Sequence, residues 1–471
     1  MKKTKIICSI GPASNNPDIM EEMVNKGMNV ARINFTHATL EEKNMVISSV
    51  LEVRKRTNKP VAILYDTRGP KFRCGEFEGG SVTLVEGETI KIVKENVLGN
   101  SKRFSVNHPK ALDSINVGNY ILLENAKMKV EVIDKDSEGL ICKIINGGVL
   151  GNKKSISAPG VKLDIPYVGE KDLEDLKYAF SHDGEYLAIS FVSSKEDVLE
   201  IRNLMHEYKR DDLQIICKIE SELGIKNLDE ILSVADGVMI ARGDLGTEIP
   251  SEMLPVIQKE IISKCRRHGK LCVVATEMLE TMMEENRPKR AETSDIANAV
   301  LDGTDAVMLS GETTVGKHPI ETVEEMAKIC EATEKYAQFD YLRDRRGELS
   351  DIPTAICESV VGVSNRLKAK AICANTISGQ TAKTISNLKP DALILALCPN
   401  AKVGRQLALY YGVFPIDIPL FKTTDEILTE SVYEARKFIP LNKGDLIITT
   451  GSFPHTGMST PTNLLKIEEI E

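Results

Sequence analysis

The sequence lacks an apolar run long enough to cross a membrane, since no stretch approaches the roughly 18 residues that a spanning helix needs. Its ten cysteines include no CxxC pair and no Cys/His spacing typical of metal ligands, which favours reduced thiols in a cytoplasmic protein. The opening residues, MKKTKIICSIGP, lack the apolar length of a signal peptide and predict a first strand. We therefore expect a cytoplasmic protein with no membrane partner.

An excess of positive charge is also missing. The chain has 60 Lys and Arg against 69 Asp and Glu, a net charge of −9, with both signs spread along the sequence. This distribution argues against a nucleic-acid partner, so any phosphate site must be local. With 471 residues, the chain is long enough for two or three domains and a large buried core.

Short runs rich in Val and Ile alternate with amphipathic helical patterns, for example at 170–179, 195–208 and 290–301. This alternation is typical of a parallel sheet covered by helices. Eight candidate strands begin at Lys5, Asn29, Val61, Tyr186, Gln214, Gly237, Leu271 and Ala306. Eight parallel strands close a TIM (β/α)8 barrel, so we predict an α/β fold of that class.

The regular spacing breaks once, after the third strand, where roughly ninety residues alternate in an all-β pattern with Gly and Asn turns. An open α/β pattern follows the last barrel strand. We assign 1–70 to the first part of the barrel, 71–161 to an inserted β lid domain, 162–345 to the second part of the barrel and 346–471 to a C-terminal α/β domain. The lid would stand above the carboxyl ends of the barrel strands, where it could close over an active site.

Lys218 and Glu220 mark the end of the strand QIICKIE. Because side chains alternate with period two, both should point the same way. Gly243 and Asp244 follow the next strand, where a helix begins. Two carboxylates suit Mg²⁺ or Mn²⁺, and a lysine can neutralise a transferring anion. A plain Lys218–Glu220 ion pair and ordinary surface or capping acids are the structural alternatives.

Other polar residues also follow predicted strands. Arg32 and Asn34 alternate in NVARINFTH, Asp66 and Thr67 end the third strand, and Thr276 ends the seventh. The forked donors of an arginine suit phosphate or carboxylate recognition, although a buried structural arginine paired with an acid is the simpler alternative.

The loop TISGQT, Thr376 to Thr381, joins a strand to a helix in the C-terminal part. Free backbone N–H groups at such a helix start can bind an anion. Helix capping by Ser378 or Thr381 explains the same residues equally well.

At these positions the chain resembles pyruvate kinase over essentially its whole length. The motifs, in family order, are TKIICSIGPAS, GMNVARINFTH, CKIESELGIKNLDEIL, DGVMIARGDLG, ATEMLETM, RPKRAETSDIANAVLDGTDAVMLSGET and SGQTAKTISNLKP. The resemblance implies transfer of the phosphoryl group of phosphoenolpyruvate to ADP, with Mg²⁺ (or Mn²⁺) as cofactor. It also implies a homotetramer with effector sites in the C-terminal domain, which would include Ser378 and Thr381.

Roles carried over from the family follow the matching positions. Lys218 would stabilise the transferring phosphoryl group, Glu220 and Asp244 would hold Mg²⁺, and Arg32 would bind the phosphate. Backbone N–H groups of Gly243 and Asp244, with the Thr276 hydroxyl, would bind the substrate carboxylate.

The family match also assigns the nucleotide and monovalent-cation sites. The nucleotide positions are Asn34, His37, Arg73 and Lys154. The monovalent-cation positions are Asn34, Thr36, Asp66 and the carbonyl of Thr67. A histidine such as His37, taken alone, is more often a loop residue with no catalytic task.

The chain departs from the family at several positions. Lys71 stands where potassium-dependent members have glutamate, and its ammonium could replace the monovalent cation, so we expect activity without K⁺. Thr67 and Arg68 look more like the dependent subgroup. Glu277 replaces a glutamine beside Thr276, and Gln380 stands where many members have a basic residue.

The lid departs further, because the usual Asp-Asp-Gly is Glu124, Asn125 and Ala126, and the usual Lys-Gly-Val-Asn is 154–157 with the sequence KSIS. These changes leave a second hypothesis open, a paralogue that binds phosphoenolpyruvate or sugar phosphates as a sensor with little phosphotransfer. A barrel lyase acting on an enolate is a third, which the retained Arg32 and Lys218 and the full lid disfavour.

Overall fold

The computed structural model describes residues 1–339, 351–421, 423–452 and 461–471. The domain boundary that the sequence places between residues 345 and 346 lies outside these ranges. No helix of the described residues is long and apolar enough to span a membrane.

The chain begins with three strands separated by two helices. These elements are β1 (Lys5–Ser9), α1 (Pro17–Lys26), β2 (Val30–Asn34), α2 (Leu40–Thr57) and β3 (Ala62–Asp66). Helix α2 begins with a capping box, in which the Thr39 side chain accepts from the backbone of Glu42 and the Glu42 side chain accepts from that of Thr39. This reciprocal pair satisfies backbone donors that the first helical turn leaves free.

Eight strands then form a separate all-β region. They are β4 (Ser81–Leu84), β5 (Thr89–Val93), β6 (Arg103–Ser105), β7 (Tyr120–Leu123), β8 (Met128–Lys135), β9 (Gly139–Asn146), β10 (Gly148–Gly151) and β11 (Ile156–Ser157). Six pair in the order β11-β7-β8-β9-β5-β6, and β10 pairs with β4. Phe104 and Leu123 are completely buried in a core that belongs to this region. We call it the lid.

The barrel resumes after the lid. Its remaining elements are α3 (Glu170–Ser181), β12 (Tyr186–Ile189), α4 (Lys195–Glu207), β13 (Gln214–Ile219), α5 (Glu222–Lys226), α6 (Leu228–Val234), β14 (Gly237–Ala241), α7 (Arg242–Glu248), α8 (Leu254–Arg267), β15 (Leu271–Ala275), α9 (Arg290–Asp302), β16 (Ala306–Leu309), α10 (Gly311–Thr314) and α11 (Pro319–Glu334). The closed sheet has the order β1-β16-β15-β14-β13-β12-β3-β2, and all of its pairings are parallel. The eight-strand barrel predicted from the sequence is confirmed.

The C-terminal part is an open α/β domain. It contains α12 (Ile352–Leu367), β17 (Ala371–Asn375), α13 (Gln380–Asn387), β18 (Leu393–Cys398), α14 (Ala401–Leu407), β19 (Val413–Asp417), α15 (Thr424–Phe438), β20 (Leu446–Gly451) and β21 (Leu464–Glu469). The strand order is β19-β18-β17-β20-β21, with only β21 antiparallel among the described strands of this sheet. Strands β19 and β21 were not predicted from the sequence.

The C-terminal domain packs against the amino-terminal ends of the barrel strands. Glu185, just before β12, is fully buried and accepts hydrogen bonds from Arg54 (3.0 Å) and from Arg405 of α14 (2.6 Å). Asp305, just before β16, forms a buried ion pair with Lys389. The carboxyl ends of the strands are therefore left facing the lid.

Candidate active site

Lys218 lies near the end of β13, and its ammonium is surrounded by three oxygen atoms. Its Nζ is 3.0 Å from Glu220 Oε1, 3.1 Å from Asp66 Oδ1 and 2.8 Å from Ser190 Oγ. Burial alone would lower the pKa of Lys218, but the Asp66 and Glu220 carboxylates raise it above its ordinary value. Lys218 is therefore a cation held in a fixed position. It also forms the ion pair with Glu220 that the sequence analysis gives as the structural alternative to a role in anion transfer.

Glu220 is almost completely buried at the start of the loop after β13. Its Oε2 accepts the N–H of Phe191 at 2.6 Å. Burial raises the pKa of Glu220, Lys218 opposes that rise, and the charge of Asp244 adds to it. The two carboxylates are therefore close enough to repel each other, which a bound cation would relieve.

Asp244 lies in the first turn of α7 and lines the same cleft as Glu220. Among the described residues, no group of three His, Cys, Asp or Glu is arranged to hold a metal. Two carboxylates are nevertheless a sufficient protein contribution for Mg²⁺, which takes its remaining oxygens from substrate and water. The donor set therefore fits this ion.

Arg32, on β2, joins the same network from the opposite side. Its Nε donates to Asp66 Oδ2 at 2.7 Å, and its Nη1 donates to Ser9 Oγ at 2.6 Å. Asp66 thus bridges Arg32 and Lys218. Although burial would raise the pKa of Asp66, these two cations hold it below its usual value. The ion pair with Asp66 is the contact expected of a structural arginine. Because Asp66 also pairs with Lys218, the cations of Arg32 and Lys218 lie at the same end of the barrel.

Thr276 follows β15 in a left-handed conformation, with φ of 72°. Its hydroxyl donates to the carbonyl of Ala275 at 2.6 Å and accepts the N–H of Gly243 at 2.9 Å. Arg242 Nε donates to the Thr276 carbonyl at 3.2 Å. The structure therefore brings Thr276 and Gly243 together, although the Gly243 N–H points at the threonine hydroxyl.

Of the four predicted monovalent-cation residues, Thr36 contacts the ammonium of Lys71. Lys71 Nζ lies 3.3 Å from Thr36 Oγ1, and Asn34 Oδ1 accepts the N–H of Thr36 at 3.0 Å. The carbonyl of Thr67 accepts the Ser190 hydroxyl at 2.7 Å. Burial, with smaller contributions from neighbouring cations, lowers the pKa of Lys71.

A cleft of about 300 Å³ separates the lid from the barrel. Its lining includes Lys71, Arg73, Glu220 and Asp244. Arg73 Nη1 donates to the carbonyl of Lys153 at 2.7 Å. Arg73, a predicted nucleotide-binding residue, therefore lines the same cleft as Glu220 and Asp244, the two predicted metal ligands.

The other predicted nucleotide residues are less tightly gathered. His37 is exposed overall, but partial burial, followed by the charges of Lys71 and Arg32, lowers its pKa. Lys154 Nζ lies 3.5 Å from Glu124 Oε1, one of the residues at which the lid departs from the family. Neither His37 nor Lys154 is among the described residues that line the cleft.

Three site residues were missed by the sequence reasoning: Ser9, Ser190 and Phe191. Ser9 contacts Arg32, Ser190 contacts Lys218, and the Phe191 backbone contacts Glu220. All three also lie at the end of a predicted strand, which is the signal that could have identified them.

A second cavity, of about 290 Å³, lies in the C-terminal domain and is lined in part by Ser378 and Thr381. The alternative that Ser378 or Thr381 caps the helix is wrong, because α13 begins after Gly379 (φ 87°) and has no side-chain cap. Thr376 Oγ1 instead accepts the Gly379 N–H at 2.9 Å, and the Thr381 hydroxyl is hydrogen-bonded to Thr462.

Comparison with known proteins gives matches over the full length. A family model described as pyruvate kinase, barrel domain, matches residues 1–323, and one described as pyruvate kinase, alpha/beta domain, matches 354–468. A protein named pyruvate kinase from Geobacillus stearothermophilus is 43% identical over 473 residues, which cover 100% of this chain and 80% of that protein. One of the same name from Sporosarcina psychrophila is 43% identical over 479 residues, covering 100% of this chain and 81% of the relative. The crystal structure of a pyruvate kinase from Cryptosporidium parvum is similar with a TM-score of 0.93 and 35% identity, covering 99% of this chain and 96% of the other.

Proposed function

The chain belongs to the pyruvate kinase family, and from that membership we propose how its barrel-top site transfers the phosphoryl group of phosphoenolpyruvate to ADP. The family, the fold class and the phosphotransferase activity predicted from the sequence are confirmed. One observation carries the assignment of the site: a buried, protonated Lys218 held by Asp66, Glu220 and Ser190 at the end of β13.

In this reaction the bond between phosphorus and the enol oxygen breaks, and a bond to a terminal oxygen of ADP forms. Such transfers depend mainly on positioning and on the stabilisation of charge. Lys218 supplies a cation that its three oxygen neighbours hold in place, so little reorganisation is needed when charge shifts onto the transferring group. Arg32, fixed by Asp66 and Ser9, binds the phosphate from the other side.

Mg²⁺ (or Mn²⁺) is the cofactor that Glu220 and Asp244 would hold. When bound, the ion neutralises charge on the substrate oxygens. The fit rests on the two carboxylates, which line one cleft and offer the oxygen ligands that this ion takes. Titration of Mg²⁺ tests it: a Glu220→Gln variant should need a higher Mg²⁺ concentration for half-maximal activity, and an unchanged requirement would contradict the assignment.

Pyruvate forms when the methylene carbon of the enolate takes a proton. We place the Thr276 hydroxyl near that carbon, and the backbone N–H groups of Gly243 and Asp244 at the substrate carboxylate. In the structure the Thr276 hydroxyl donates to the Ala275 carbonyl. Substrate binding would therefore have to redirect this hydroxyl and free the Gly243 N–H.

Lys71 is proposed to take the place of K⁺. Its ammonium already contacts the hydroxyl of Thr36, one of the four residues that match the cation site. Activity in a potassium-free tetramethylammonium buffer, measured with and without KCl, tests this proposal. Strong activation by KCl would contradict it.

The remaining assignments are proposals of the same kind. ADP would contact Asn34, His37, Arg73 and Lys154, with the lid (71–161) closing over the cleft. The C-terminal domain, 346–471, would mediate assembly into a homotetramer in the cytoplasm. It would also bind an effector in the cavity that contains Ser378 and Thr381. Size-exclusion chromatography with light scattering checks the tetramer.

The altered lid turn, Glu124 to Ala126, favours testing a second function, that of a sensor. A sensor would bind phosphoenolpyruvate without efficient transfer. A coupled assay for pyruvate, with ADP and Mg²⁺ present, distinguishes the two functions. Retained binding of phosphoenolpyruvate without turnover would favour the sensor.

A further inference from the structure

The peptide group between Ser190 and Phe191 follows β12 and contacts a proposed metal ligand. Phe191 has a φ of 55°, a left-handed conformation that is rare for a bulky side chain. Its N–H donates to Glu220 Oε2 at 2.6 Å. A backbone in such a conformation persists only when its surroundings hold it there. The contacts of this peptide group therefore help to determine where one oxygen of Glu220 lies.

Tyr167 contacts the other side of the same peptide group. Its hydroxyl donates to the Ser190 carbonyl at 2.9 Å. In a planar trans peptide the C=O and the N–H point in opposite directions. A donor on the carbonyl side and an acceptor on the amide side therefore fix the rotation of the plane together. The peptide group is held between the Tyr167 phenol and the Glu220 carboxylate.

Thr67 fixes the rest of Ser190. Its Oγ1 accepts the Ser190 N–H at 3.1 Å, and its carbonyl accepts the Ser190 hydroxyl at 2.7 Å. These bonds hold the preceding peptide group and the side chain, whereas the Ser190 carbonyl is held by Tyr167. Ser190 is almost completely buried, so water has little access to that carbonyl as a replacement donor.

Both oxygens of Glu220 are held by neighbours. Lys218 Nζ lies 3.0 Å from Oε1, and the Phe191 N–H donates to Oε2. Tyr167, Phe191 and Glu220 line the cleft that also contains Asp244. Carboxylates that bind metals are usually held by hydrogen bonds of this kind, and the outer partners affect metal affinity. The direction in which Glu220 can bind an ion therefore depends on the peptide group that Tyr167 holds.

We propose that Tyr167 is a positioning residue for the divalent-cation site, which acts through the Ser190–Phe191 peptide group to hold the Glu220 carboxylate in place. The inference rests on the proposed function, since it takes Glu220 as a ligand of Mg²⁺ or Mn²⁺. Without the phenol hydroxyl the peptide plane is free to rotate, and its N–H is no longer held on Glu220. The carboxylate then binds the ion from a less ordered position and with lower affinity.

Direct binding of Mn²⁺ to the full-length protein tests the proposal. Free Mn²⁺ is measured by electron paramagnetic resonance without substrates, so turnover does not affect the result. Tyr167→Phe, which removes only the hydroxyl, should raise the Kd for Mn²⁺ by about tenfold, the lower end of the effect of losing an outer partner of a metal ligand. Tyr178→Phe is the matched control, because its hydroxyl also donates a hydrogen bond, to Asn44 Oδ1 at 2.7 Å. Tyr178 lies on α3 and is not among the described residues that line the cleft.

A second background tests whether Tyr167 acts through Glu220. In Glu220→Gln, adding Tyr167→Phe should change the Kd for Mn²⁺ little, because the carboxylate on which the phenol acts is already gone. Equal Kd values in Tyr167→Phe and Tyr178→Phe would overturn the proposal, as would a rise that persists in full in the Glu220→Gln background. Pyruvate formation by the unmodified protein tests the proposed function separately. Its absence would contradict that function, whereas the Mn²⁺ affinities would still decide the role of Tyr167.

Discussion

The ammonium of Lys71 lies 3.3 Å from the hydroxyl of Thr36, at the position where family members that need potassium have glutamate. Asn34, Asp66 and Thr67 are the other residues that match the cation site. Asp66 is already paired with Arg32 and Lys218. We therefore propose that this covalently attached cation takes the place of a free one.

Lys71→Glu should create a potassium requirement. Without K⁺ its activity should fall well below that of the unmodified protein, because the substitution replaces a positive charge by a negative one beside the phosphate site. Added KCl should restore much of it. Activity ratios with and without KCl, in tetramethylammonium buffer, provide the measurement. Lys110→Glu, on an exposed part of the lid, controls for the charge change alone, and equal KCl responses of the two variants would rule out the role of Lys71.

Lys218→Met should lower kcat by a factor on the order of 10²–10³, comparable to the loss of one transition-state donor in other enzymes. The KM for phosphoenolpyruvate should change much less. Circular dichroism must show retained fold, because Asp66 and Glu220 lose a buried partner. The exposed Lys177 gives the control Lys177→Met. A variant at 218 with near-normal kcat would remove this lysine from the mechanism.

Arg32→Lys keeps the charge but loses the fork that reaches both Asp66 and Ser9. The KM for phosphoenolpyruvate should rise by about tenfold, which is the effect of losing one hydrogen bond to a charged group. Arg56→Lys on the exposed end of α2 should leave it unchanged. An unchanged KM for phosphoenolpyruvate in Arg32→Lys would show that Arg32 does not bind the substrate and only pairs with Asp66.

Gly69→Ala should impair catalysis through Ser190. Gly69 has φ of 67°, and a Cβ there would lie 2.8 Å from the Ser190 Cβ and 2.9 Å from its carbonyl oxygen. Displacing Ser190 moves a partner of Lys218, so kcat should fall on the order of tenfold. Gly79→Ala is a close control, because Gly79 has φ of 68° but open space around it. Equal kcat values in the two variants would show that the Ser190 contact is irrelevant.

The barrel and much of its site could be predicted from the sequence because both follow from local patterns. Buried parallel strands give continuous apolar runs, and residues two apart share a face, as Lys218 and Glu220 do. Strand β19 escaped prediction because Pro415, which lacks an N–H donor, interrupts the pattern of a strand. Ser190 also ends a predicted strand but was not among the candidates, and its hydroxyl alone does not distinguish a site residue from a common helix cap.

The lid turn shows a different limit of the sequence. Its left-handed backbone depends on hydrogen bonds from Ser155, about thirty residues away along the chain. Neither Glu124 nor Ala126 has a local preference for that conformation. The missing turn glycine could be seen in the sequence, but the contact that compensates for it could not.

The most direct test is the rate of pyruvate formation from phosphoenolpyruvate by the unmodified protein, with ADP and Mg²⁺ each present or omitted and ATP measured in parallel. We expect pyruvate and ATP in equal amounts, only when both ADP and Mg²⁺ are present, and without added K⁺. Binding of phosphoenolpyruvate with no pyruvate formed under any of these conditions would contradict it.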